Sequence, residues 1–368
     1  VLPQLRLLVK DEPYALQKRV LTYFSTAALT SIVLAPADKL EKLIFDVSEA
    51  FPELLEYYCP ALLLESVDLV SLPDSEGLPS GQKRLEYWVQ EAIVQLEGIK
   101  KSRPFRYVES LIEFLRSDVA PNKKRRMLQR LSAARQGRYK LSVKEKAMFP
   151  GWVKNFWTCF DFEQVSAAFG LSLCEYLELA ICPYCAVEEI GIYKAVSSRP
   201  DLDHFYPRSR FPYLAVSLYN LIPSGVVCNQ KSKKNHPMLM HAHPHVQSMD
   251  DEALFLFDYL DNGSSILSLN IRLRSQSSPC KNNNIERFRL ARIYEQSATL
   301  SAWFSSVFEL KGVLAQLGME FSDDDVKKLP FLKNELTKTS NLVVAQQFKV
   351  EAVNRIFDTS FQTLQQDV

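Results

Sequence analysis

Apolar residues return every three or four positions over most of the chain. Between about Pro13 and Pro121, Leu85, Trp88, Val89, Ala92, Leu96 and Ile99 form one series, and Phe105, Val108, Leu111, Ile112 and Leu115 another. That spacing predicts amphipathic helices with apolar stripes facing a core. The period breaks at Leu72-Pro73-Asp74 with Gly77 to Gly81, and at Ser117 to Asn122, where Pro, Gly, Ser and acidic residues predict loops. Trp152, Phe156, Trp157, Phe160 and Phe162, followed by the run from Leu171 to Ile181, predict core packing at helical spacing. Phe288, Leu290, Ile293, Tyr294, Leu300, Trp303, Phe304, Val307, Phe308 and Leu310 predict a helix over 285–321. A final helix is expected from about Asn341 to Gln365. No internal repeat or coiled-coil heptad interrupts this pattern.

Composition agrees with a mainly α fold carrying a small α+β insert, because 11 glycines among 368 residues disfavour a turn-rich all-β protein. The length exceeds one ordinary domain, so two or three packed units are expected. The pattern divides the chain into a helical N-terminal domain (1–121), a basic linker or helix (122–149), a segment rich in chemically active residues (150–250) and a helical C-terminal region (251–368). The longest apolar run, Phe211 to Pro223, is interrupted by Ser217 and Asn220 and is too short to span a bilayer, so a soluble protein is expected. The chain opens at Val1, which leaves open a segment ahead of it, and nothing visible resembles a leader. Seven cysteines with a Cys182-x-x-Cys185 pair suit a reducing, cytoplasmic compartment and metal ligation better than a disulfide scaffold.

Net charge is only +1, so a nucleic-acid partner has to be read from local asymmetry. Asn122 to Lys146 holds ten Lys or Arg, among them Lys123, Lys124, Arg125 and Arg126, against the single acid Glu145. Such a stretch either binds a phosphate backbone, releasing counterions, or is a solvated basic face. From His204 to Met249, 46 residues pass without Asp or Glu, while Arg208, Arg210, Lys231, Lys233 and Lys234 fall inside. An acid-free basic stretch suits a polyanionic substrate such as DNA.

The same stretch contains the chemistry. It reads Cys182-Pro-Tyr-Cys185, Asp201-Leu-Asp203-His204-Phe-Tyr-Pro207-Arg-Ser209, Tyr219-Asn220-Leu-Ile-Pro223 and Cys228-Asn229-Gln-Lys-Ser-Lys-Lys-Asn235. As a set this resembles the HNH, or ββα-metal, endonuclease family. The Asp-His-x-x-Pro-x-Ser run and the step from Asn220 to Asn229 are similar to the HNH domain of RNA-guided CRISPR effectors. The resemblance covers about 55 residues and implies a nuclease domain within 150–250. It implies that His204 is the general base that deprotonates water, a task suited to a neutral imidazole near pH 7. It makes Asp203 and Asn229 the ligands of Mg²⁺ or Mn²⁺, which takes hard oxygen donors and neutralises the departing oxygen. Asn220 becomes an orienting residue on the turn between strands. Asp201, two residues before Asp203, falls on the same strand face and reads either as a helper of the site or as a solvated edge acid.

Many members of that family brace the unit with a structural zinc held by two Cys-x-x-Cys pairs. Cys182, Cys185 and Cys228 take three of those places, and the fourth, residue 225, is Gly. Either another residue completes the tetrahedral shell or zinc binding has been lost. Cys174 and the His241-x-His243-x-His245 alternation are nearby, without the expected spacing. Cys59, Cys159 and Cys280 read as ordinary residues, and His236, His241, His243 and His245 as a polar loop.

The Asp-His-Phe-Tyr-Pro run, the Tyr-Asn-Leu-Ile-Pro segment and the Phe288-Arg-Leu-x-x-Ile-Tyr helix resemble, more loosely, stand-alone HNH proteins of bacterial anti-phage systems of the Septu, retron and Zorya type. That likeness implies a nuclease effector restrained by a partner such as an ATPase or sensor. The alternative from a different class is a degenerate ββα module that grips nucleic acid without cutting.

Overall fold

The computed structural model describes residues 1–69, 82–102, 105–196, 198–249, 252–318, 329–336 and 343–359. It is mostly helical with two small antiparallel sheets, β1 (Asp201–His204) with β2 (Leu221–Ser224) and β3 (Phe255–Asp261) with β4 (Ile266–Leu273). The loop expected over 72–81 lies outside the described residues. Among the described residues no helix is long and apolar enough to cross a membrane.

Compactness groups the chain into two units that interleave in sequence. One comprises 1–162, 206–218 and 235–237, the other 163–205, 219–234 and 238–368.

In the first unit the predicted stripes become the core. Helix Arg106–Arg116 buries Tyr107, Val108, Leu111, Ile112 and Leu115, and helix Gln82–Ser102 buries Val89, Ala92, Ile93 and Leu96. Each buried Val, Leu or Ile among them contributes about 1.5–3 kcal/mol. Phe24, Phe51, Trp152, Phe156 and Phe160 form an aromatic cluster, whereas Trp157 faces outward at 59% exposure.

The basic segment is a helix, Pro121–Ser132, opened by proline in its first turn and anchored through Met127, Leu128 and Leu131. Behind it, Arg130 pairs with Glu145 at 2.7 Å, Tyr107 donates to Glu145 at 2.8 Å, and Ser142 and Glu145 form a capping box. Burial alone would raise the Glu145 carboxyl, but Arg130 and the Ser142 donors outweigh it and hold the group at about 2.

In the second unit the expected helix over 285–321 is broken. Helices Pro279–Phe288, Leu290–Glu295 and Ala298–Gln316 replace it, because Arg289 adopts φ 56° and Ser297 caps the third by accepting from Leu300 N–H. The C-terminal region is also not wholly helical, since β3 and β4 lie within it. Phe255, Phe257 and Tyr259 alternate toward Phe304 and Phe348, and Asn262-Gly263 turns the chain, Gly263 at φ 85°. Helix Gln346–Phe357 occupies the described middle of the expected last helix and buries Phe348, Val350, Val353 and Ile356.

Candidate functional site

β1 and β2 pair Asp201 with Ser224, Asp203 with Ile222 and His204 with Leu221. The strands are short and almost wholly buried on both sides, so burial does not alternate along them. Three residues beyond β2 the chain turns into a π-helical stretch, Val227–Lys233, referred to below as the site helix. The Asn229 carbonyl accepts the Lys234 N–H at 2.8 Å, the five-residue step of that winding. The order strand, strand, helix is thus present within the second unit.

The site helix lies along β1 and touches it at two carboxylates. Asp201 Oδ2 accepts from Asn229 Nδ2 at 3.3 Å and from Gln230 Nε2 at 2.9 Å. Asp203 Oδ1 accepts from Lys233 Nζ at 2.9 Å, and Lys233 also donates to the His204 carbonyl at 2.7 Å. Tyr184 donates to the other oxygen, Asp203 Oδ2, at 2.7 Å and stacks on Phe288 with centroids 4.5 Å apart. The Lys233 and Asp203 side chains are 1% and 5% exposed, so this is an interior ion pair. Burial lowers the Lys233 ammonium, partly offset by Asp203; burial raises the Tyr184 hydroxyl, and the Asp203 charge adds to the rise.

Asp201 is therefore more than a solvated edge acid, being half-buried and the carboxylate in contact with Asn229. His204 is 8% exposed. Asn220 is fully buried at the end of a 3₁₀ turn, and its backbone carbonyl accepts the Phe205 N–H at 2.9 Å, closing the loop beside His204. His243 stacks on Phe205 with centroids 4.2 Å apart, and burial brings its imidazole down to about 3, so it is a core residue and not part of a polar loop.

Two of the cations expected to meet nucleic acid are interior. Lys233 neutralises Asp203. Arg210, 6% exposed, donates to the carbonyls of Asn235 at 2.5 Å and Gly137 at 2.8 Å within the first unit. Lys233 is thus paired with a carboxylate and Arg210 is tied to carbonyl oxygens, as burial of either cation requires. Lys231 on the site helix, Lys234 just past its end, Arg208, and Lys123, Arg125 and Arg126 are exposed, with Lys124 half-exposed.

Beside this constellation Cys182, Cys185 and Cys228 are buried with their Sγ atoms within 4.8 Å of one another, the group of metal-type ligands that converges among the described residues. Cys174, His241, His243 and His245 are not in it. Hydrogen bonds from the Cys182 and Cys228 thiols, together with the Glu188 and Val187 N–H groups, hold Cys185 down at about 3. The same sharing pushes Cys182 up to about 12 and Cys228 upward as well. A cluster that favours thiolate at its centre fits a soft divalent ion.

For Mg²⁺ the donor types also fit. Asp203 keeps one acceptor site on each oxygen after Tyr184 and Lys233 are served, and Asn229, whose Nδ2 is given to Asp201, has its amide oxygen to offer. The Lys233 ammonium opposes a second cation at the same carboxylate. Sequence reasoning missed Tyr184, Gln230 and the partner role of Lys233, and no local pattern marks them.

Comparison with protein-family models, with curated proteins and with solved structures finds no match.

Proposed function

We propose that β1, β2 and the site helix form a metal-dependent HNH endonuclease that hydrolyses phosphodiester bonds of DNA, acting as a nuclease effector in bacterial anti-phage defence. The observation that carries this reading is the docking of the site helix on β1: it sets Asn229 against Asp201 and Lys233 against Asp203, bringing Asp203, His204 and Asn229 into one small structure from two distant stretches of chain.

Asp203 and Asn229 would hold a Mg²⁺ or Mn²⁺ ion, which would supply charge neutralisation at the phosphate and the departing oxygen. The protein's own residues do the rest. His204 takes the proton of the attacking water. Its backbone is fixed on one side by pairing with Leu221 and on the other by Lys233 on its carbonyl, which limits where the imidazole can stand. Asp201 orients the Asn229 amide. Lys231 on the site helix and Lys234 at its end offer phosphate contacts, and the helix Pro121–Ser132 offers a separate basic surface. A partner such as an ATPase or sensor belongs to this reading as the source of activation.

The test is incubation of the protein with supercoiled plasmid and Mg²⁺ or Mn²⁺. Wild type is expected to nick or linearise the DNA, and His204→Ala to lose about 10²–10⁴-fold in rate, the usual worth of a general base. Equal cutting by both proteins removes His204 from the chemistry.

A second reading is favoured by the interior Lys233–Asp203 pair and the near-complete cover of His204: a module that grips nucleic acid without cutting. Its signature in the same experiment is a gel shift for both proteins, with cutting by neither even after addition of cellular partners.

A further inference from the structure

Residue 225 is Gly where a fourth thiolate would complete the cluster of Cys182, Cys185 and Cys228. A β-carbon built on Gly225 would stand 2.0 Å from Glu188 Oε2 and 2.1 Å from its Cδ, far inside contact distance. The space that a side chain at 225 needs is filled by a carboxylate, so glycine there and glutamate at 188 are two halves of one arrangement.

Glu188 is tied to the cluster by its backbone as well. Its carbonyl accepts the Cys182 N–H at 2.8 Å, and its N–H donates to Cys185 Sγ at 3.5 Å. Oε2 accepts the Val227 N–H at 3.2 Å, one residue before Cys228. The carboxylate is thus held between the two chain segments that supply the thiols.

We propose that Glu188 is the fourth ligand of a zinc site whose other three ligands are Cys182, Cys185 and Cys228. Zinc accepts carboxylate oxygen at about 2.0–2.2 Å alongside thiolate at about 2.3 Å. Tetrahedral bonds of that length set sulfurs about 3.8 Å apart, and the three Sγ atoms already lie within 4.8 Å. The Glu188 carboxylate does not stand within 4.8 Å of all three sulfurs, so ligation takes it from the Val227 N–H to the ion by rotation of its side chain. None of this depends on whether the unit cuts DNA.

Cobalt substitution with zinc competition tests the assignment on the full chain. Wild type is expected to bind one ion, and the Co²⁺ form to show tetrahedral d–d bands with charge-transfer intensity for three thiolates. Glu188→Gln is expected to weaken binding by about 10- to 100-fold or more, since even residues behind the ligands are worth that much. The double variant Glu188→Ala with Gly225→Cys supplies a fourth thiol where the carboxylate was. It is expected to recover binding, to raise charge-transfer intensity by about one third, from three thiolates to four, and to shift the d–d bands to longer wavelength. Wild-type affinity and an unchanged spectrum in Glu188→Gln overturn the proposal. So does a wild-type chain that binds no zinc or cobalt after reconstitution, or a double variant whose spectrum still reports three thiolates.

Discussion

The two hairpins of the second unit are built on opposite principles. β1 and β2 have four residues each and are buried nearly throughout, and they hold charged groups inside: Asp203 and Lys233 pair there, with Tyr184 completing the carboxylate. β3 and β4 have seven and eight residues, bury Phe255, Phe257 and Ile271, and leave Leu260 and Leu267 each 67% exposed. Their ion pair, Arg272 with Asp258, lies in solvent at 58% and 55% side-chain exposure. The long hairpin is held by one apolar face, as most antiparallel ribbons are. The short one cannot rest on a face of its own and is fixed by specific polar partners, which is the arrangement a chemical site requires.

The difference is broken or upheld most directly by removing the interior cation. Lys233→Met keeps length and apolar volume but leaves Asp203 buried with only Tyr184, and loss of one partner of such a pair costs about 3–5 kcal/mol. Urea unfolding measures it. Adding Asp203→Asn should recover much of the loss, because the uncompensated charge goes with it. If Lys233→Met is no worse than a surface substitution, β1 is not held by its polar contacts and the contrast between the hairpins fails.

Next in size is Phe257→Ala on β3. It removes a ring that packs 5.2 Å from both Phe304 and Phe348, and large-to-small changes of a buried Phe cost about 3 kcal/mol or more. No second substitution of charge should rescue it, which separates an apolar hairpin from a polar one by the pattern of rescue and not by the size of the loss.

The hairpins are also expected to answer pH in opposite directions. Burial behind Phe205 lowers the His243 imidazole to about 3, against 6.5 in the unfolded chain. The unfolded chain takes the proton first, so this contribution is complete above about 6.5 and is lost as pH falls toward 3, by about 1.4 kcal/mol per pH unit. Glu351, which accepts the Leu254 and Phe255 N–H groups at 2.8 Å beside β3, is raised from 4.5 by burial. A raised carboxyl favours the folded state below its unfolded value and loses that contribution as pH rises. Melting temperatures from pH 7.5 to 4.5 should therefore show an acid-side slope that His243→Phe flattens and Glu351→Gln leaves in place. The same slope in His243→Phe and wild type would falsify this assignment.

How far the sequence could be read follows from the same contrast. Helices were legible because burial repeats at their period: the stripe from Val108 to Leu115 is buried where the spacing put it. The order and spacing of Asp203, His204, Asn220 and Asn229 pointed to one small structure, and these residues do lie on or beside one hairpin and the helix that follows it. The alternation of Phe255, Phe257 and Tyr259 ahead of Asn262-Gly263 is a strand signal, masked by the stronger helical period that follows. Other features were not readable from the chain. Period two puts Asp201 and Asp203 on one face, but which of them meets Asn229 and which meets Lys233 depends on where the helix lies. Charge counts made Arg210 and Lys233 look like surface cations, and only packing shows them interior. Gly225 reads as a missing ligand until the space beside it is known to hold a carboxylate.

The smallest expected effect closes the comparison from the solvent side. Arg272 Nη2 meets Asp258 Oδ2 at 2.5 Å, a shorter contact than Lys233 makes with Asp203 at 2.9 Å. If length alone set strength, Arg272→Ala would be the costlier change of the two. Both groups are more than half exposed, however, so water and salt screen the attraction and holding two long side chains together costs entropy. Arg272→Ala is therefore expected to lower stability by no more than about 1 kcal/mol, and by less in high salt. Leu267→Ser on the same outward face should stay within about 0.5 kcal/mol either way. A loss from Arg272→Ala approaching that of Lys233→Met, and insensitive to salt, would mean that β4 is covered by something that keeps water from the pair, and the second hairpin would then belong to the same polar class as the first.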